Sequence, residues 1–176
     1  DLLRFPAFAD LPEDQLVWFL SQSQEVTLKA GEIYVRQGDP PENMFVLLEG
    51  QYEWRGDFNG EIVTFQGKVG DVTGALPFSR MKQFLVTGRA VSEGRMLRFP
   101  ASLFPALIQK MPELVKRLVA IMTDRVREAT RIEQQRDRLV GLGKLSAGLA
   151  HELNNPATAA KRASAQLRET IYRIKE

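Results

Sequence analysis

The sequence predicts an α+β protein: a small antiparallel β-roll with flanking helices, followed by a long C-terminal coiled-coil helix. The distribution of turn-forming residues indicates the roll. Ten of the 13 glycines and eight of the nine prolines lie within residues 1–112, and such density is typical of many short strands joined by turns. The hydrophobic pattern indicates the helix, because apolar or small residues recur at alternating spacings of three and four beyond residue 112.

The roll begins with a short helix. Residues 10–13 offer a capping carboxylate at Asp10 and a first-turn proline at Pro12. We expect the apolar face of this helix to consist of Leu16, Val17, Phe19 and Leu20. Five following segments are rich in β-branched and aromatic residues and are punctuated by glycine, which predicts strands at 26–28, 33–35, 44–48, 52–54 and 62–65.

The C-terminal part follows a heptad pattern. With Leu118 at position d and Met122 at position a, the pattern continues for about eight heptads. A helix of that length cannot bury its apolar stripe against a small roll, so we expect a parallel homodimer through a coiled coil. The alternative is a helix folded back as a hairpin around residues 141–143, where two glycines weaken the helix by about 1 kcal/mol each.

Composition excludes several classes of protein. The chain has 24 Lys+Arg against 22 Asp+Glu and is 44% hydrophobic, unlike a mostly disordered chain. The lack of cysteine excludes a disulfide scaffold, and no run of about 18 apolar residues predicts a transmembrane helix. We expect a cytoplasmic chain without a membrane partner or a metal site. Because its start lacks an initiator Met and a signal-peptide pattern, we also expect a piece of a longer protein.

The single histidine, His151, lies in a segment that breaks the rules of a helix. Pro156 removes a backbone hydrogen bond from the continuing helical pattern at a cost of about 3 kcal/mol. Asn154 and Asn155 are poor helix formers beside it. In the heptad, His151 takes position b and Asn155 position f, which predicts that both lie on the outer side of the helix. A surface histidine without a role is the simpler interpretation, but such anomalies are expected at functional sites.

Residues 142–156, with the sequence LGKLSAGLAHELNNP, resemble the phosphoacceptor box of bacterial sensor histidine kinases. The resemblance implies that His151 is phosphorylated, that Glu152 is the acid/base beside it, and that Asn155 positions water for dephosphorylation of a response regulator. The chemistry is consistent with these roles, because an imidazole with a pKa of about 6.5 is largely neutral near pH 7 and an adjacent carboxylate stabilises the imidazolium that forms. The resemblance also implies a separate domain that binds ATP with Mg. Since the sequence has no such domain, we do not expect this chain to phosphorylate itself.

Four motifs in the first part carry a second resemblance: FADLPEDQL at 8–16, GEIYVRQGDP at 31–40, MFVLLEG at 44–50 and VGD at 69–71. On these motifs, residues 5 to about 128 resemble the cyclic-nucleotide-binding domain of the cyclic-AMP receptor protein and its relatives. The resemblance implies a cyclic-nucleotide-binding-like jelly roll. In that family a Gly-Glu pair begins a short helix, with the Glu on the ribose hydroxyl, and a later Arg pairs with the cyclic phosphate.

The ligand-binding positions of that family are only partly retained here. Gly74 is present, Ala75 stands where Glu is expected, and the Arg position falls near Phe84. A buried phosphate needs charge-assisted contacts to offset its desolvation. Three cations are candidates to replace the missing Arg: Arg80, Lys82 and Arg89. Otherwise the roll has changed its ligand or acts as a dimerisation and partner-sensing module.

These inferences combine into one predicted function. We predict a sensor roll at 1–111, a coiled-coil signalling helix at 112–141 and the first helix of a phosphoacceptor domain at 142–176. A signal at the roll would be relayed through a dimeric helix to His151, which accepts phosphate from ATP and passes it to a response regulator. The alternative is a cyclic-AMP-receptor-like regulator or dimerisation module without kinase activity. Because no helix-turn-helix follows Lys144, we expect no nucleic-acid partner.

Overall fold

The computed structural model describes residues 2–58, 60–127, 130, 131, 134 and 138. The chain divides into two units, Asp1–Arg125 and Val126–Glu176, and the fold described below is that of the first. The elements are, in chain order, a 3-10 helix (Leu2–Arg4), α1 (Glu13–Gln22), β1 (Gln24–Leu28), β2 (Ile33–Val35), β3 (Asn43–Glu49), β4 (Tyr52–Phe58), β5 (Glu61–Gly67), β6 (Val72–Gly74), β7 (Thr87–Ala90), β8 (Gly94–Pro100), a second 3-10 helix (Ala101–Leu103), α2 (Phe104–Lys110) and α3 (residues 112–127).

The eight strands form two antiparallel four-stranded sheets. One sheet has the order β1-β8-β3-β6 and the other has the order β2-β7-β4-β5. Consecutive strands therefore often lie in different sheets, which is the topology of a roll rather than of two separate meanders. The antiparallel roll with flanking helices that the sequence predicts is confirmed, and the five predicted strands correspond to β1–β5.

Three strands were not predicted from the sequence. β6, β7 and β8 contain Gly74, Gly88 and Gly94, respectively, and glycine in a short strand weakens the local signal because it has no side chain to pack. These strands are stabilised by pairing with strands that are distant in the sequence, which a local pattern does not show. β8 pairs along most of its length with both β1 and β3, so it is one of the two interior strands of its sheet.

Two apolar clusters stabilise the roll. The outer cluster lies between the β1-β8-β3-β6 sheet and the helices, where the ring of Phe19 from α1 stacks on that of Phe99 from β8 at a centroid distance of 4.9 Å. The inner cluster lies between the sheets and consists of Leu28, Val35, Phe45, Leu47, Tyr52, Phe84, Ala90 and Met96. Both clusters remove large side chains from water, which is the main favourable term in folding.

Helix α3 belongs to the same core as the roll. Leu118 is fully buried in the outer cluster, and Met122 packs against that cluster. Leu118 therefore packs against the chain's own roll rather than in the seam of a coiled coil, and Met122 is partly covered by the same cluster, whereas the homodimer through this helix stays a prediction. The predicted coiled coil beyond residue 127 lies outside the described residues, apart from single positions, and stays a prediction.

The beginning of α1 also differs from the expectation. Pro12 is the N-cap, no side chain caps the helix, and Asp10 has a left-handed backbone with a φ of 58°. Asp10 therefore serves the preceding turn, not the cap. Of the predicted apolar face only Leu16 and Phe19 are buried; the other two residues, Val17 and Leu20, are 59% and 45% exposed.

Arg117 of α3 forms hydrogen bonds with the N-terminal segment. The Arg117 guanidinium donates hydrogen bonds to the carbonyls of Pro6, Ala7 and Ala9, and its Nε lies 3.5 Å from a carboxylate oxygen of Glu113. Those carbonyls accept no hydrogen bond within a helix or strand, so one planar cation satisfies several acceptors at once.

Within the described residues, no helix combines the length and the apolar character needed to cross a membrane.

We expect Gly94→Ala to destabilise the roll by about 2 kcal/mol or more. A Cβ atom at Gly94 would lie 2.5 Å from the Tyr52 hydroxyl oxygen and 2.6 Å from the Glu49 carbonyl oxygen. Urea unfolding measures the change. Gly38→Ala is the control, because Gly38 has a φ of +92° but open space around it and should lose only about 1 kcal/mol to backbone strain. Equal losses for the two variants would contradict the steric argument.

We expect the stability of the roll to fall at alkaline pH through Tyr52. Burial, and secondarily the Glu49 carboxylate, raise the pKa of Tyr52 to about 12, against about 10 in an unfolded chain. The stabilisation is complete below about pH 10 and is lost as the pH rises through about 12, an effect on the order of 2 kcal/mol. Urea midpoints measured across this range should fall less steeply for Tyr52→Phe than for the wild type. Parallel curves would refute the assignment.

Candidate functional site

The segment between β6 and β7, residues 75–86, is the loop to which the ligand-binding positions map. One of its ends bonds to the first residue of β3 and the other bonds to the turn before β3. The Ala75 N–H donates to the Asn43 carbonyl at 2.9 Å, the Phe84 N–H donates to the Asp39 carbonyl at 2.8 Å, and the Gly38 N–H donates to the Phe84 carbonyl at 2.8 Å. These backbone bonds fix the loop at its base, so its conformation is set by the roll rather than by solvent.

Gly74 precedes this loop in a position that only glycine fits. Its φ is +81°, and a Cβ there would lie 2.4 Å from the Asn43 carbonyl oxygen and 2.8 Å from the Phe45 ring. Left-handed backbone is costly for any residue with a Cβ. Gly74 therefore has a structural reason to be glycine that does not depend on a ligand.

The two positions at which the resemblance expects Glu and Arg hold buried apolar side chains. Ala75 is 5% exposed and Phe84 is 6% exposed. Phe84 belongs to the inner cluster, with Phe45, Tyr52 and Met96. A phosphate at this position would lose its water without gaining a cation.

The candidate cations of the loop point to solvent. Arg80 and Lys82 are exposed and make no hydrogen bond or ion pair within the part of the chain that the structure describes. Between them, the Met81 N–H donates to the Ser79 Oγ at 3.2 Å, which orders the tip of the loop. The structure thus brings Arg80 and Lys82 close together along the loop but not onto Ala75 or Phe84.

Arg89 lies on another face of the roll. In β7, the flanking Gly88 and Ala90 are buried and Arg89 is exposed, as the alternation of a strand requires. The Arg89 Nε lies 2.6 Å from a carboxylate oxygen of Glu53 on β4. Arg89 also lines a surface cleft of about 320 Å³ together with Gln37, Arg55, Gly56, Asp57, Ile62 and Thr87.

The structure adds two polar residues that the sequence argument missed, Tyr34 and Arg125. The Tyr34 hydroxyl is buried without a hydrogen bond of normal geometry, and burial raises the pKa of Tyr34 well above its ordinary value, an effect that the indole of Trp54 offsets only in part. The Arg125 guanidinium, from α3, donates to the Val72 carbonyl on β6. Burial lowers the pKa of Arg125, against the opposing effect of Asp71. The sequence did carry a signal for Arg125, since it occupies a d position of the heptad, where a charge is out of place.

The predicted phosphoacceptor site lies outside the described residues. This applies to His151, Glu152 and Asn155 alike, and their roles stay predictions. Within the described residues, no group of three or more His, Asp or Glu side chains is arranged to hold a metal ion.

Comparison with known proteins agrees with this geometry. Residues 25–111 match the family described as the cyclic nucleotide-binding domain. No curated protein sequence matches the chain. At Ala75 and Phe84 the matched region departs from the ligand pattern that this resemblance implies.

Solved structures share the fold at low sequence identity. The Thermus thermophilus catabolite activator protein has a TM-score of 0.63 at 23% identity, covering 71% of this chain and 60% of that protein. The N-terminal domain of a transcriptional regulator from Streptomyces coelicolor A3(2) has a TM-score of 0.58 at 24% identity, covering 74% and 95%, respectively. The sensor domain of the transcriptional regulator DNR from Pseudomonas aeruginosa has a TM-score of 0.58 at 23% identity, covering 70% and 89%. At this identity the likeness establishes the fold.

We expect Phe84→Arg, which restores the family's residue type, to destabilise the domain by about 3 kcal/mol or more, because it places an unpaired charge in the inner cluster. Leu85→Arg is the matched control, since Leu85 is 56% exposed and should change stability by less than about 0.5 kcal/mol. Urea unfolding compares the two. If Phe84→Arg were as stable as Leu85→Arg, the space at position 84 would be open to a charged ligand.

Proposed function

We propose that the roll is the sensor of a regulatory protein of the catabolite-activator type, and that its signal is not a cyclic nucleotide held by a Glu and Arg pair. The observation that carries this proposal is the burial of Ala75 and Phe84 at the two positions that would hold the ribose and the phosphate. Ligand pockets in general need a few convergent polar groups to orient their ligand. Here the described loop directs its polar groups outward instead.

The contact between Arg125 and Val72 supplies a route from the loop to α3. Val72 lies two residues before Gly74, and its carbonyl accepts a hydrogen bond from the guanidinium of Arg125. A change in the loop that moves β6 would remove an acceptor from a partly buried cation, which is costly. We infer that α3 responds to the state of the loop through this bond.

The output that follows α3 has two candidates. The similar solved structures are mostly transcriptional regulators, which supports the alternative reading, a regulator without kinase activity. The motif at residues 142–156 supports the other candidate, a histidine kinase in which His151 accepts phosphate and a response regulator receives it. In both, the roll and α3 perform the same task of passing a signal along the chain.

The identity of the signal is tested by calorimetric titration with cyclic AMP, cyclic GMP and cyclic di-GMP. We expect no saturable heat with any of the three, because the positions of the family's Glu and Arg are filled by the buried Ala75 and Phe84 while Arg80 and Lys82 are exposed. Circular dichroism on the same sample establishes that the protein is folded. Heat with micromolar affinity would overturn this part of the proposal. Neutralising Arg80, Lys82 and Arg89 one at a time would then identify the cation that replaces the family's Arg.

The output is tested on the full-length protein with two assays. Incubation with γ-labelled ATP and Mg should give an acid-labile phosphate that His151→Gln abolishes if the output is a kinase. A gel shift at low salt should give sequence-specific retention of DNA if the output is a transcription regulator. If His151→Gln still became labelled with phosphate, His151 would not be the phosphoacceptor. If competitor DNA of any sequence abolished the gel shift, the binding would be non-specific and the regulator role would be contradicted.

A further inference from the structure

The outer side of the 75–86 loop is apolar to an unusual degree. Phe78 is 65% exposed, Leu85 is 56% exposed and Met81 is 40% exposed. Phe78 also has a left-handed backbone with a φ of 66°. Such strain in a bulky residue persists only where its surroundings impose it, and it is concentrated at functional sites.

Two buried residues of the loop fix the direction in which these exposed side chains point. Leu76 and Phe84 are buried, 5% and 6% exposed, and anchor the loop on either side of its tip. Between these anchors, a surface cleft of about 460 Å³ is lined by Met81, Lys82, Gln83 and Leu85. The loop therefore presents a concave apolar surface rather than a loose chain.

The charged side chains of the loop and of the strands that flank it all have one sign. Residues 72–92 contain no Asp or Glu, but they contain Arg80, Lys82 and Arg89. Arg89 is paired with Glu53, whereas Arg80 and Lys82 make no ion pair within the described residues. An occupant of this surface should therefore combine apolar side chains with carboxylates.

Helix α1 of the same protein presents that combination. Glu13 and Asp14 lie in its first turn and form no ion pair in the described part of the chain. Val17 and Leu20 are 59% and 45% exposed. The positions of Glu13, Val17 and Leu20 are spaced by four and three residues, which places them on one side of the helix.

We propose that the 75–86 loop docks onto α1 of a second copy of this chain. Phe78, Met81 and Leu85 cover Val17 and Leu20, while Arg80 and Lys82 face Glu13 and Asp14. A two-fold axis would form the contact twice, since each copy carries both halves. The inference is independent of the proposed sensor function, because it uses only the outward side of the loop.

Cross-linking tests this contact directly, because the chain has no cysteine of its own. Phe78→Cys is placed in one chain and Val17→Cys in a second chain of different tag size, and the two are co-expressed and oxidised. The matched control replaces Val17→Cys by Ile62→Cys, since Ile62 is 58% exposed. We expect about tenfold more mixed disulfide with Val17→Cys than with Ile62→Cys. Equal yields would overturn the proposal.

Charge reversal then tests the pairing of the ionic groups. Adding R80E/K82E to the Phe78→Cys chain should lower the yield of mixed disulfide severalfold, and adding E13K/D14K to the other chain should restore it. K29E/R36E, a reversal of two exposed cations outside the loop, should leave the yield unchanged. Failure of E13K/D14K to restore the yield would show that α1 is not the occupant, whatever else binds the loop.

Discussion

The burial of Phe84 in the inner cluster is the constraint on which the described site depends. Its ring packs between the two sheets with Phe45, Tyr52 and Met96, and its backbone bonds in both directions to the turn at residues 38–39. A charged residue at this position would need a partner to offset its desolvation. An aromatic ring instead gains stability from burial alone. A buried aromatic ring thus occupies the point at which the resemblance implies a ligand-binding cation.

A second constraint joins the roll to α3. Leu118 is fully buried in the outer cluster, Arg117 bonds the carbonyls of the N-terminal segment, and Arg125 bonds the Val72 carbonyl. The first turns of the helix are therefore part of the folding unit of the roll, so a signal does not have to cross a flexible linker. The same packing means that the buried side of these turns, at Leu118, is not available to a second copy.

The sequence predicted the fold class and five of the eight strands, because β-branched and aromatic runs between glycine turns form a strong local pattern. It did not predict β6, β7 or β8, whose stability comes from tertiary pairing across glycine-containing segments. It also assigned Leu118 and Met122 to a coiled-coil seam. A heptad pattern states which side of a helix is apolar but not what covers that side, and here the roll covers it.

For the 75–86 loop, the sequence predicted which residue types occupy the ligand-binding positions. It did not predict which side chains point into the core and which point to solvent. Ala75 and Phe84 are visibly apolar in the sequence, but only packing shows that Phe84 fills the inner cluster and that Arg80 and Lys82 face solvent. These two facts have one cause. Once the anchors of the loop are apolar and buried, the remaining side chains of Phe78, Met81 and Leu85 have no interior left to enter, and they must project outward beside the cations. The loop therefore combines a buried apolar base at Ala75 and Phe84 with an outer surface on which apolar side chains lie beside the two cations.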